Sequence, residues 1–195
     1  MKRLFDIIFS LIGIAILLPF FLIFTIFIVI DSGFPVFYSQ TRVGKNGKDF
    51  SLLKFRTMKK DSDKKGLLTV GEKDSRITSF GFFLRKYKLD ELPQLFNVLA
   101  GNMSLVGPRP EVRKYVELYN SEQKKVLSVK PGITDYASIE YSNENSILAK
   151  SMNPENLYIT EIMPTKLKLN LKYIEERSFL TDLKIIFKTI GKIFS

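Results

Sequence analysis

The chain has 195 residues, with 30 Lys and Arg against 20 Asp and Glu, for a formal net charge of +10. It contains no cysteine and no histidine, which excludes disulfides, Cys/His zinc centres and histidine-based triads. Acid–base or nucleophilic work therefore falls to Asp, Glu, Lys, Tyr, Ser or Thr, and any metal must be bound through oxygen, with Mg2+ the leading candidate. The basic balance favours an anionic partner: nucleic acid, a phospholipid surface or a phosphorylated substrate.

The segment Ile7 to Ile30, IIFSLIGIAILLPFFLIFTIFIVI, carries no charge. As a helix it would extend roughly 36 Å at ~1.5 Å per residue, enough to cross a hydrocarbon core. A removable leader would be shorter and end in a small-residue cleavage site, whereas Asp31-Ser32-Gly33-Phe34-Pro35 follows here. Pro19 sits mid-segment, where it removes a backbone hydrogen bond and bends a helix. Lys2 and Arg3 precede the segment and a basic excess follows it, so both ends are drawn to the cytoplasmic side. Two readings stand: a plain spanning helix, and a re-entrant helix that breaks near Leu18-Pro19 and returns to the side it entered. The expected division places the membrane helix in residues 1–33 and a cytoplasmic domain in 34–195.

Val36 to Met58 predicts a hairpin, with Asn46-Gly47 as a tight turn between two apolar-rich runs. Lys54 and Arg56, two apart, would share one face of the second strand. The run 59–66, KKDSDKKG, reads as a charged loop. Helices are expected around Ser79–Tyr87, Leu92–Ala100, Pro110–Ser128 and Pro164–Arg177, with loops at GNMSLVGPRP and VKPGITDYASIEYSNENS. Near the C-terminus, Leu183, Ile186, Phe187, Ile190, Ile193 and Phe194 recur at helical spacing beside Lys184, Lys188 and Lys192. Such a helix suits either a lipid interface or a protein core. The class is a small α/β (α+β) domain attached to a membrane helix.

In LRKYKLDELPQLFNVLAGN, Asp90 and Glu91 stand two residues before Pro93. One reading is capping: Pro93 suits a first helical turn, acids there offset exposed N–H groups, and Gly101 ends the helix. The other is chemistry. Arg85, Lys54 and Arg56 supply cations, and Arg109 lies between two stiffening prolines in GPRP. Guanidinium forks bind phosphate, and a carboxylate among cations stays ionised, able to attack or to hold Mg2+.

The blocks VFYSQTRVGKNGKDFSLLKFRTM, LDELPQLFNVLAGNMSLVGPRP and VKPGIT resemble the bacterial sugar transferases, the monotopic phosphoglycosyl transferases. The resemblance runs from Lys2-Arg3 to SFLTDLKII. It implies a re-entrant N-terminal helix broken at a proline and a catalytic domain on the cytoplasmic face of the bacterial inner membrane. It implies that Asp90 attacks the β-phosphate of a UDP-sugar, UMP leaves, and a polyprenyl phosphate such as undecaprenyl phosphate collects the sugar 1-phosphate. Glu91 then assists through metal binding or proton handling, Mg2+ is required, and Arg85 and Arg109 are candidate phosphate contacts. Lys54 and Arg56 are further candidates, and Gly107 and Pro108 shape the arginine loop. Amphipathic interface helices, a homodimer and a role in starting a surface glycan (exopolysaccharide, capsule or O-antigen) belong to the same expectation.

The chain departs from that pattern in two places. The family's break is often Ser-Pro, here Leu18-Pro19. After PGIT many members continue with Gly, an apolar residue, Ala-Gln and soon an arginine, whereas this chain reads DYASIEYSNENS, with Ser142 where the arginine would fall. Asp135, Tyr136, Glu140 and Glu144 are candidate sugar contacts there. The rival to the enzyme reading is a basic membrane-bound adaptor that binds anionic lipid or a partner protein. No nucleic-acid partner is expected, because no recognised motif occurs and the cations are mixed with acids.

Overall fold

A computed structural model describes residues 2–60, 62, 71 and 74–193. The uncharged segment forms helix α1, Lys2–Ser32, apolar and long enough to cross a membrane by composition, and mostly unburied. Its large apolar residues point outward, as at Leu4, Ile16, Leu22 and Ile30. A contrasting face carries the buried residues Asp6, Ser10, Phe21, Phe24 and Ile28. The expected break at Leu18-Pro19 is not seen as two helices: α1 runs through Pro19 as one element. Proline within an apolar helix is tolerated where neighbouring groups adjust to the lost hydrogen bond.

The same domain holds both ends of α1. At the start, Lys2 donates to Tyr173 Oη (3.3 Å) and pairs with Asp182. Arg3 donates to the Val98 carbonyl and, at 2.8 Å, to the Leu99 carbonyl. Asp6 accepts from Ser104 Oγ at 3.0 Å and from the Leu105 N–H at 3.1 Å, so this buried carboxylate is satisfied. At the far end, Asp31 accepts from the Phe80 N–H at 2.9 Å. Arg56 donates to the Ser32 carbonyl at 2.8 Å, to Ser32 Oγ at 2.9 Å and to the Gly33 carbonyl. These last bonds satisfy carbonyls that a helix C-terminus leaves open.

The hairpin forms as expected. Strands β1, Phe37–Val43, and β2, Asp49–Phe55, pair antiparallel in the register Phe37↔Phe55 to Val43↔Asp49. Asn46 (φ 58) and Gly47 (φ 73) take the left-handed conformations that a tight turn demands. Beyond it follow α2, Ser79–Lys86, capped by the Thr78 side chain, and α3, Gln94–Ala100, ended by Gly101. A second, parallel pair joins β3, Ser104–Val106, to β4, Gly132–Thr134. There Gly107 and Gly132 bring the two chains so close that a Cβ on Gly107 would lie 2.6 Å from the Lys130 carbonyl.

The expected helix Pro110–Ser128 survives only as α4, Arg113–Val116, and a 3-10 stretch, Gln123–Ser128. Asn120 and Gln123 explain the interruption: each side-chain oxygen accepts the other's backbone N–H, at 2.8 and 2.9 Å, and so competes with helical bonding. The expected loop after PGIT instead folds into α5, Tyr136–Glu140, and α6, Glu144–Ala149. Helix α7, Pro154–Leu157, leads through a π-helical turn, Tyr158–Ile162, into α8, Met163–Glu176. The chain closes with α9, Phe179–Ile193. Its protein-facing side carries Asp182 and Ile185, while Phe179, Leu180, Phe187 and Ile190 are exposed, so the expected apolar face is split. Phe194, assigned to that face, lies outside the described residues.

One core cluster joins α1 to the hairpin. Phe55 is almost fully buried, with its ring edge-on to Phe21 (5.2 Å) and Phe24 (5.9 Å) and stacked on Phe37 (5.4 Å). Phe55→Ala should destabilise the protein by about 3–5 kcal/mol, the usual cost of emptying such a site. Thermal unfolding in detergent measures it.

Candidate active site

The site lies where β2, the turn after α2 and the loop after β3 meet. The hairpin register puts Lys54 opposite Tyr38 at the end of β2. After α2, Lys88 adopts a left-handed conformation (φ 57), and a 3-10 turn, Leu89–Glu91, presents the two carboxylates. Gly107-Pro108-Arg109-Pro110 then follows β3.

Glu91 is the centre of the cluster. Lys54 Nζ lies 2.9 Å from its Oε1, and Arg109 binds it through both terminal nitrogens, one at 3.0 Å from Oε2. Burial alone would raise the Glu91 pKa, but the charges and hydrogen bonds of Arg109 and Lys54 outweigh it and hold the carboxyl well below its usual range. The charge of Glu91, above all, raises Arg109, with Asp135 and Glu144 adding to it. Burial lowers Lys54, against the pull of Glu91.

Asp90 has the opposite surroundings. It is 6% exposed and makes no hydrogen bond or ion pair among the described residues. Burial raises its pKa, the Glu91 charge raises it further, and Lys54, Arg85 and Lys88 act against both. The capping reading does not hold: no side chain caps the 3-10 turn or α3. A carboxylate that is buried, unbonded and close to cations is poised for an incoming electrophile.

Of the sequence-derived candidates, Lys54, Arg85, Asp90, Glu91 and Arg109 are brought together. Arg85 is half-buried at the end of α2, with Nη1 3.5 Å from Thr57 Oγ1. Arg56 is elsewhere. It lies beyond the end of β2, its N–H bonds the Val36 carbonyl at 2.8 Å, and its buried guanidinium serves the end of α1. The expected strand alternation with Lys54 stops at Phe55.

The expected sugar contacts are dispersed. Asp135 is fully buried, with its oxygens on the backbone N–H groups of Arg109 and Ser138. The Tyr136 hydroxyl donates to Glu176 at 3.3 Å and points to α8. Glu140 is exposed. Glu144 pairs with the buried Lys166 at 2.8 Å, near enough to Arg109 to act on its charge. Leu18 and Pro19 are exposed on α1.

Residue-by-residue reading missed Asn97. Its side chain accepts from the Leu53 N–H (2.9 Å) and donates to the Ser51 carbonyl (2.7 Å), which fixes α3 against the strand that carries Lys54. The signal was present as a polar residue inside the apolar run QLFNVLA. Among the described residues no group of three or more acidic side chains converges as a metal cage. The unbonded oxygens of Asp90 nonetheless fit Mg2+, which is commonly held by one or two carboxylates together with substrate phosphates, whereas both Glu91 oxygens are taken by Lys54 and Arg109.

The family model for bacterial sugar transferases matches residues 1–195. The chain belongs to the bacterial sugar transferase family. It is an enzyme of the transferase class, and its long apolar helix associates it with a membrane. The uncharacterized sugar transferase EpsL of Bacillus subtilis is 41% identical over 99% of this chain and 87% of its own length. The UDP-N-acetylgalactosamine-undecaprenyl-phosphate N-acetylgalactosaminephosphotransferase of Aeromonas hydrophila is 35% identical over 100% of this chain and 44% of its own length. The UDP-glucose:undecaprenyl-phosphate glucose-1-phosphate transferase of Escherichia coli is 36% identical over 100% of this chain and 40% of its own length.

The raised pKa of Asp90 has a consequence for stability. The folded state binds that proton more tightly than the unfolded chain does, so Asp90 loses stability for the protein as pH rises from about 3.9, the unfolded value, through its folded pKa. Its ionised form is disfavoured in the fold relative to the unfolded chain. Asp90→Asn should therefore raise the melting temperature of the metal-free protein at pH 7. The gain should vanish at acid pH, where both side chains are neutral.

Proposed function

We propose that the protein transfers a sugar 1-phosphate from a UDP-sugar to a polyprenyl phosphate, undecaprenyl phosphate being the acceptor that the relatives' names specify. The observation that carries this reading is the buried, unbonded Asp90 beside a Glu91 locked by Lys54 and Arg109. An Asp90 oxygen attacks the β-phosphorus. The bond from that phosphorus to the bridging oxygen breaks, and UMP departs with the electron pair. The sugar phosphate stays on Asp90 until a phosphate oxygen of the lipid attacks the same phosphorus and frees the carboxylate. Splitting the displacement this way lets one nucleophile serve two bulky anions in turn.

Arg109 is partly exposed beyond its contact with Glu91, and Arg85 has donors to spare, so both suit the diphosphate. Lys54 and Arg109 keep Glu91 ionised, and Glu91 in turn keeps both cations oriented. Asp90 would hold Mg2+ together with the substrate phosphates, and the ion would supply neutralisation of the diphosphate charge. Burial strips water from Asp90 and leaves the carboxylate available to phosphorus.

The same reading places the site on the cytoplasmic face of the bacterial inner membrane, where it starts a surface glycan. Support comes from α1: Lys2, Arg3 and Asp6 at one end and Asp31 and Ser32 at the other all bind one polar domain. A helix that spans the bilayer separates its ends, whereas a re-entrant one leaves both on the side of that domain. Cysteines introduced at Lys2 and Ser39 should accordingly be labelled from the same compartment, and labelling from opposite compartments would mean a spanning helix.

Protein in nanodiscs, given undecaprenyl phosphate, Mg2+ and a panel of UDP-sugars, should release UMP with at least one of them. Asp90→Asn should abolish release. If no sugar gives release above that variant, the enzyme reading fails in favour of an adaptor.

A further inference from the structure

The arginine loop is poor in backbone donors. Pro108 and Pro110 have no N–H, so between Gly107 and Glu111 only Arg109 offers one. The rest of the loop is held from outside. Gly107 N–H donates to the Thr134 carbonyl (3.0 Å), Gly132 N–H to the Pro108 carbonyl (3.0 Å) and Val43 N–H to the Glu111 carbonyl (2.9 Å). Arg42 Nη1 donates to the Pro110 carbonyl at 3.1 Å. The Arg109 N–H itself goes to Asp135 Oδ2 at 3.0 Å.

The other oxygen of Asp135 accepts the Ser138 N–H at 2.6 Å and so caps α5. Capping requires one oxygen, and a serine or threonine would do it as well. A fully buried carboxylate is a costly way to cap so short a helix unless its second oxygen has a use. That use is the one free donor of the arginine loop.

We propose that Asp135 is a positioning residue for Arg109. It fixes the arginine's backbone so that the guanidinium meets Glu91 and the substrate diphosphate in one orientation, and it does not touch the sugar. The inference rests on the phosphoglycosyl transfer reading for its meaning, so its first test is independent of activity.

Asp135→Ser keeps an oxygen for the α5 cap and removes the one that reaches Arg109. In the full-length protein in nanodiscs, hydrogen–deuterium exchange resolves this loop well because its prolines leave few amides. The Arg109 amide should exchange about tenfold faster, the scale set by one lost hydrogen bond, while the melting temperature falls by no more than about 5 °C, the shift that same loss produces in a chain of this size. Unchanged exchange would overturn the proposal. In the UMP-release assay kcat should fall about tenfold with the ranking of UDP-sugars unchanged. In an Arg109→Lys background the same substitution should cost less than about twofold more, because the two residues act as one unit. Fully multiplicative losses, or a changed sugar ranking, would also overturn it. If the wild type released no UMP at all, the functional reading would fall, and the exchange measurement would still decide the role of Asp135.

Discussion

Glu91 ties together three pieces of chain that are remote in sequence: the end of β2 through Lys54, the loop after β3 through Arg109, and its own turn before α3. Taking such charges out of water costs several kcal/mol per ion, and the attraction offsets this only with close geometry. The geometry here is close, since both Glu91 oxygens are engaged and Arg109 grips them as a fork. The bridge therefore contributes more to arrangement than to net stability. Remove either cation and a buried carboxylate is left under-neutralised, so the three segments have one energetically acceptable way to meet. The position of Arg109 is in this sense a condition of the fold.

Helix α3 carries that arrangement to the membrane. It begins just after the acid pair, and its far end is gripped by Arg3 of α1 at the Val98 and Leu99 carbonyls. Between these points Asn97 fixes it to β2. Seven residues of helix make a rod of about 10 Å. Arg3 at the start of α1 and the Asp90-Glu91 pair are thus at opposite ends of one short rigid element. The Arg3 guanidinium also complements the negative end of α3.

Much of this was readable from residue types and spacing. Asn46-Gly47 marks the hairpin, the uncharged run marks α1, and Gly101 marks the end of α3, because each is a local steric or polar demand that any context must meet. The cluster of Lys54, Arg85, Asp90, Glu91 and Arg109 could be guessed as a set of cations around two acids. What failed was longer-range. Arg56 shares strand spacing with Lys54, yet the strand stops at Phe55 and the open carbonyls of α1 claim the guanidinium. Asp135 reads from the sequence as a candidate sugar contact in a loop, although Asp before a short helical run is also a cap signal. Its second oxygen could not be assigned without knowing that β3 and β4 lie side by side. The interruption after Val116 depended on Asn120 and Gln123 finding each other's backbone, a local competition that apolar periodicity does not register.

The division of labour between Asp90 and Glu91 follows from the same geometry. Adjacent carboxylates in one environment would titrate as equals and repel each other. Here one carries two hydrogen-bonded cations and the other carries none, so their proton affinities are driven apart. Glu91, the more stabilised anion, is the poorer nucleophile, because its lone pairs already point at nitrogen. Asp90 keeps its lone pairs free at the cost of burying them, and Lys54, Arg85 and Lys88 favour its charge without occupying its oxygens, though burial outweighs them. The phosphoglycosyl transfer reading asks for an uncommitted carboxylate, and the structure leaves Asp90 uncommitted by giving the hydrogen-bonded cations to the neighbouring residue.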